Sequence, residues 1–275
     1  MHTSFPSISP DGGRLIGLVA TALVLSGGLG PSVALADNNN DDDRERTRYS
    51  VGAALLLAKE GYRGVSRESA LIPGVSIQNK WVNLFGPQLD LRLVGNDKRS
   101  WWLGPRIEYR FDGYEKADST FFTGMADRKG GLFYGLAGSV ELGSGFELEA
   151  DYVAAASKQA GFSRGAVASL QLSRSYTSGE WAFVPRFGVE YQSSRYVDYY
   201  YGVRVGEAIA GRPAFAGKSS WSPEVGLQVR YRASPRQLVF ANFNYERYAK
   251  EIKNSPLINT SGIPQLILGY QYVLD

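Results

Sequence analysis

The stretch WWLGPRIEYRF, residues 101–111, decides how the rest of the chain is read. In an extended strand successive side chains point to opposite faces. One face then carries Trp101, Leu103, Pro105, Ile107, Tyr109 and Phe111, and the other Trp102, Gly104, Arg106, Glu108 and Arg110. A soluble sandwich strand also alternates, but it seldom begins and ends its apolar face on aromatics while packing three charges onto the opposite face. An apolar face with aromatics at both ends is what a strand shows where it crosses two membrane–water interfaces. The stretch therefore predicts a transmembrane β-strand.

The pattern recurs. Residues 49–58, 70–78, 81–94, 131–142, 146–155, 164–173, 180–191, 219–232, 237–248 and 264–274 all alternate in the same way. In 219–232, Trp221, Pro223, Val225, Leu227, Val229 and Tyr231 share one face, and Ser222, Glu224, Gln228, Arg230 and Arg232 the other. Most of these segments have the ~9–11 residues that a tilted membrane strand needs. Short Gly-rich links, such as Gly143-Ser144-Gly145, alternate with long ones, at 112–130 and 192–218. This is the order of periplasmic turns and extracellular loops in an antiparallel barrel. The count is eleven, and single-chain bacterial barrels use even numbers. Twelve strands are expected, with ten as the alternative. The missed strand is sought in 81–94, read as one long strand bent at Gly86-Pro87, or in 112–130.

At the N-terminus an apolar run at 15–29 follows Arg14 and ends at Val33-Ala34-Leu35-Ala36. A short apolar run closing on a small-x-small site is a secretory signal peptide, so residues 1–36 are expected to be removed. Residues 37–48 (DNNNDDDRERTR) are charged and without apolar period, and read as a disordered periplasmic leader ahead of a barrel over 49–275. No later segment holds the ~18 consecutive apolar residues of a spanning helix. The expected location is the Gram-negative outer membrane, in contact with its lipid and lipopolysaccharide. A formal net charge of +3 is too small to suggest nucleic acid.

His2 is the one histidine and there is no cysteine. After cleavage, His-based catalysis, thiol chemistry and His or Cys metal sites are all unavailable. Carboxylates remain: Glu147, Glu149 and Asp151 alternate along one strand. They read as lumen charges facing arginines, because a polar lumen is expected of such a barrel. No enzyme activity and no cofactor is expected. The candidate lumen charges are Arg106, Glu108, Arg110, Arg186, Glu190, Glu224 and Arg230. The candidate loop plug or binding surface is Tyr196, Tyr199, Tyr200, Tyr201, Glu207, Arg212 and Phe215. For the tyrosines two readings stand: an interfacial aromatic girdle running into an ordered loop, or a surface on which a ligand stacks. The 192–218 loop is long and aromatic enough to fold over the barrel mouth.

Several of these residues resemble the MipA/OmpV family of outer-membrane proteins. They are Leu103-Gly104-Pro105-Arg106 running into Tyr109-Arg110-Phe111, and Tyr200-Tyr201-Gly202-Val203 followed by Glu207-Ala208 and Arg212-Pro213-Ala214-Phe215. Asn254-Ser255-Pro256-Leu257 and Gly269-Tyr270-Gln271-Tyr272 complete the set. The resemblance implies an outer-membrane barrel. It also implies a scaffolding role, as in the namesake, which brings a lytic transglycosylase together with a murein synthase; porin-like members imply a narrow small-solute channel instead. It carries over no catalytic residues.

Overall fold

A strand in hydrocarbon must find partners for every backbone N–H and C=O, and a sheet closed on itself does this without edges. The computed structural model describes residues 46–59, 61–65, 68–96 and 100–274. The expected signal peptide, the leader as far as residue 45, and Asp275 lie outside the described residues. Among the described residues, twelve antiparallel strands close into a barrel. They are β1 (Arg48–Ala58), β2 (Glu68–Gln78), β3 (Val82–Phe85), β4 (Gln88–Leu91, continued by Val94–Gly95), β5 (Trp101–Arg110) and β6 (Gly131–Gly143). The second half is β7 (Phe146–Ala155), β8 (Ala166–Arg174, continued by Tyr176–Ser178), β9 (Trp181–Gln192), β10 (Ser220–Ser234), β11 (Gln237–Arg247) and β12 (Gly262–Val273). The ring closes where β1 pairs with β12, from Ser50↔Val273 to Ala58↔Gln265.

The twelfth strand was concealed in 81–94. The single bent strand expected there is two strands of four residues, with Phe85 paired to Gln88 across a two-residue turn. Gly86 has φ +53° and Pro87 follows it. A positive φ at the first turn position, with the second held near −65° by the proline ring, is the type II′ geometry suited to hairpins. The hairpin is much shorter than its neighbours, and its tip stops partway up the wall.

Both chain ends of the barrel and its short turns lie on one side, and the long loops on the other; the tip of the β3–β4 hairpin alone is a tight turn pointing to the long-loop side. Short turns mark the periplasmic side. In β9 and β10, Trp181 packs on Tyr231 (ring centroids 4.6 Å apart) and Tyr191 on Trp221 (4.9 Å). Ten residues separate the two pairs along β9, about 33 Å at ~3.3 Å per residue. At a tilt of ~40° this spans roughly the 25 Å of a barrel's apolar band. Between the pairs Phe183, Phe187, Val225 and Leu227 are exposed on the outer surface, while Arg186, Glu224 and Gln228 are buried in the lumen. Leu227→Arg puts a cation in the apolar band, at a cost of about 2–4 kcal/mol. The expected result is a large loss of heat-resistant folded barrel on gels of the membrane fraction, with Leu227→Ile unchanged.

Candidate functional site

The inward faces of β4, β5 and β7 bring opposite charges together. Arg106 is 1 % exposed. Its guanidinium grips Asp90 of β4 through Nε (2.7 Å) and Nη2 (3.1 Å), and reaches Glu149 at 2.8 Å and Asp151 at 2.9 Å on β7. Gln88 donates to Asp90 (3.0 Å), and the Ser169 hydroxyl donates to Asp151. A planar fork with several N–H donors is suited to this, and buried charges persist when paired in this way.

Four residues further toward the outside on β5, Arg110 makes the second knot. It meets Asp112 (3.0 Å), Glu190 of β9 (3.2 Å) and Glu108 (3.2 Å). Glu108 lies on its own strand, so the pairing is not solely between strands. Elsewhere in the lumen Arg186 donates to Asn242, and Asn244 donates to Glu224 at 3.4 Å. Arg230 is buried nearer the periplasmic end, in register with Phe240.

Above Arg110 the long loops turn inward. The loop after β9 forms a helix, α1 (Ser194–Tyr201), capped by the Ser193 hydroxyl, which accepts from the Tyr196 N–H. Gly165 lets the chain pass close to this cap: a Cβ there would sit 2.4 Å from the Tyr196 nitrogen. Tyr196, Tyr199, Tyr200 and Tyr201 are all buried. This overturns the girdle reading: the tyrosines do not face the membrane interface but form the middle of an aromatic lid. Tyr62 from the first loop, Tyr114 and Phe122 from the third, and Ile252 and Leu257 from the last pack around them. Tyr62 lies 5.0 Å from Tyr114 and 5.8 Å from Tyr201, and Tyr114 stacks on Phe122 at 4.4 Å.

Lid and lumen meet at one side chain. The Tyr196 hydroxyl donates to Asp112 and accepts from Arg110 at 3.4 Å. The Arg110 guanidinium also lies 5.5 Å from the Tyr196 ring centre. The last carbonyls of α1 are met from three directions: Tyr199 by Arg128 (2.8 Å), Tyr200 by Tyr62 (3.2 Å) and Tyr201 by Ser255 (2.6 Å).

The remaining candidates brace the lid's rim. Glu207 accepts from Arg128 at 2.7 Å and from the Ala126 and Arg204 amides. Burial alone would raise the Glu207 pKa, but these hydrogen bonds outweigh it and hold the carboxyl below its ordinary value. Arg212 is fully buried and donates to the carbonyls of Glu207, Thr123 and Phe121. Phe215 pairs with Val203 along the backbone and packs on the lid core. Asp90, Asp112, Arg128 and Tyr62 were not among the sequence candidates. The alternation of Asp90 with Leu89 and Leu91 was the available signal for it; for the loop residues there was none. No group of three or more His, Cys, Asp or Glu among the described residues is arranged to hold a metal.

A closed strand wall with an apolar outer band, two aromatic girdles and a polar lumen defines an outer-membrane β-barrel. The family model described as MltA-interacting protein MipA matches residues 51–274, and the chain belongs to that family. It is 24% identical to the putative outer membrane protein YiaT of Escherichia coli O157:H7, over 78% of this chain and 85% of that one. The MltA-interacting protein of Escherichia coli K12 is 31% identical over 35% of this chain and 40% of its own length. Among solved structures, the NanC porin matches 82% of this chain and 99% of its own with a TM-score of 0.40 at 11% identity.

Removing Arg106 would leave three buried carboxylates without their cation, which typically costs 3–5 kcal/mol, here taken as about that. Arg106→Met should lower the barrel's unfolding free energy in detergent by this amount, whereas Arg236→Met, in an exposed turn, should change it by less than about 0.5 kcal/mol.

Proposed function

We propose that this protein is a stoppered barrel that serves as an outer-membrane scaffold and offers its periplasmic side to murein-remodelling proteins. The observation that carries the reading is the burial of α1 in the extracellular mouth, with Tyr196 tied to Arg110 and Asp112. A lid held this way blocks free diffusion, and the knots around Arg106 and Arg110 narrow the lumen beneath it. Barrel width grows with strand number, and twelve strands leave little space once such side chains are in place. The partner class is supported by the family resemblance and by the name of the Escherichia coli K12 relative, MltA-interacting protein.

A narrow cation-passing channel is the second reading. It is favoured by one observation: inward carboxylates, among them Asp90, Glu149, Glu190, Glu224 and Glu246, outnumber the buried lumen arginines. An acidic low-dielectric path attracts cations. Conductance in planar bilayers separates the two. The stoppered barrel is expected to give no steady single-channel current, and a variant lacking residues 196–215 is expected to conduct cations. Steady conduction by the intact protein would overturn the scaffold reading in favour of the channel.

A further inference from the structure

The lumen is not charged all round. Where β1, β2, β11 and β12 face it, Leu56, Ala58, Phe240 and Ile267 form a separate apolar cluster, against which Ala54, Ile72, Phe85 and Phe111 pack. Beside this cluster is an apolar pocket lined by Ile72, Phe85, Phe240 and Ile267, with the turn Gly86-Pro87 at its edge. Of two inward glycines opposite each other, Gly52 is pressed against the Tyr270 carbonyl, and Gly74 leaves the space open. A Cβ at Gly74 would meet nothing nearer than a carbonyl oxygen 4.0 Å away. The polar part of the lining is Ser50, Ser76 and Gln271, with the Gln271 amide donating to Ser76 at 2.7 Å. Among the described residues no charged side chain lines the pocket.

The barrel wall beside it is incomplete. The short β3–β4 hairpin pairs with β2 over Ser76, Ile77 and Gln78. Its tip adds one bond, from the Gly86 N–H to the Val75 carbonyl. Beyond that point no described backbone pairing joins residues 69–74 of β2 to a strand on that side. Such an edge in an apolar surround would leave N–H groups unpaired. Val75 faces the open side, so Pro73, two residues away, faces it too, and proline has no N–H to leave unsatisfied. On the far side of the opening Phe111 reaches across to the apolar cluster. Pro73 thus removes one of the N–H groups that the opening would leave bare, with those of Leu71 and Ser69 still facing it.

We propose that this pocket is a binding site for a single-chain amphiphile. Its alkyl chain lies along Ile72, Phe240 and Ile267, its polar head meets Ser50, Ser76 and Gln271, and its flank is open to membrane hydrocarbon past Gly86-Pro87. Apolar cavities stay free of water and accept apolar guests, and ligand sites combine an apolar lining with a few placed polar groups. The site is separate from the lid and from the charged half of the lumen, so it stands whether the barrel is stoppered or conducts.

The test is fluorescence titration of the full-length mature barrel in nanodiscs with dansyl-undecanoic acid. Saturable one-site binding is expected, weakened by about tenfold or more in Gly74→Leu, whose side chain fills the pocket. Gly206→Leu, in an open loop position, should bind as the parent does. If Gly74→Leu does not fold, Ile72→Trp fills the same space from the neighbouring inward position of β2 and should weaken binding likewise. Displacement by decanoic acid identifies a free amphiphile as the natural class of occupant, and displacement by a lysophospholipid alone identifies a membrane lipid; either supports the site. Absence of saturable binding, or equal binding by the folded pocket-filling variant, would overturn it.

Discussion

A helix of eight residues cannot hold itself together in water, and its last carbonyls have no partners within it. In α1 those carbonyls are taken by Arg128, Tyr62 and Ser255, which belong to three different extracellular loops. The helix therefore exists because the other loops complete it, and those loops are ordered because they have the helix to complete. Four buried tyrosines add the apolar area that the loops would lack on their own. Aromatic pairs at the spacings seen here each contribute about 0.5–1.5 kcal/mol beyond their buried area. The lid behaves as a small hydrophobic core set in the mouth of the barrel.

This lid is joined to the wall through charge. Arg110 stands at the top of the lumen, where three carboxylates and the Tyr196 hydroxyl converge on it. Below it Arg106 gathers three more carboxylates from β4 and β7. Buried ion pairs are poor sources of net stability but are strongly unfavourable to break. Their effect here is to fix which strands stand opposite one another and how the lid is seated. The apolar quarter of the lumen lies on the side where the wall is shortest: the β3–β4 hairpin gives Phe85 to it and Asp90 to the Arg106 knot.

The period-two alternation in 101–111 was legible because lipid on one side and a polar lumen on the other impose it on every full-length strand. The inward position of Glu149 and Asp151 was legible for the same reason. The β3–β4 hairpin was not: four residues are too few to establish a period, and a Gly-Pro turn between two apolar runs reads as easily as a bend. The tyrosines of α1 could be read both as part of a loop plug and as an interfacial girdle, because a girdle and an aromatic lid draw on the same residues. What separates them is contact with Tyr62 and Tyr114, more than eighty residues away in the chain, which local pattern does not record. The partners of Arg106 come from strands distant in sequence, so the charges could be listed but not matched.

Amide hydrogen exchange across residues 194–201, in the intact protein, tests most directly whether the mouth is stoppered. A wedged helix exchanges slowly, with protection approaching that of the strands β9 and β10 that flank it, and loses that protection when Arg110 is replaced by methionine. Exchange in the native barrel as fast as that of an unstructured loop would contradict a lid seated on Arg110.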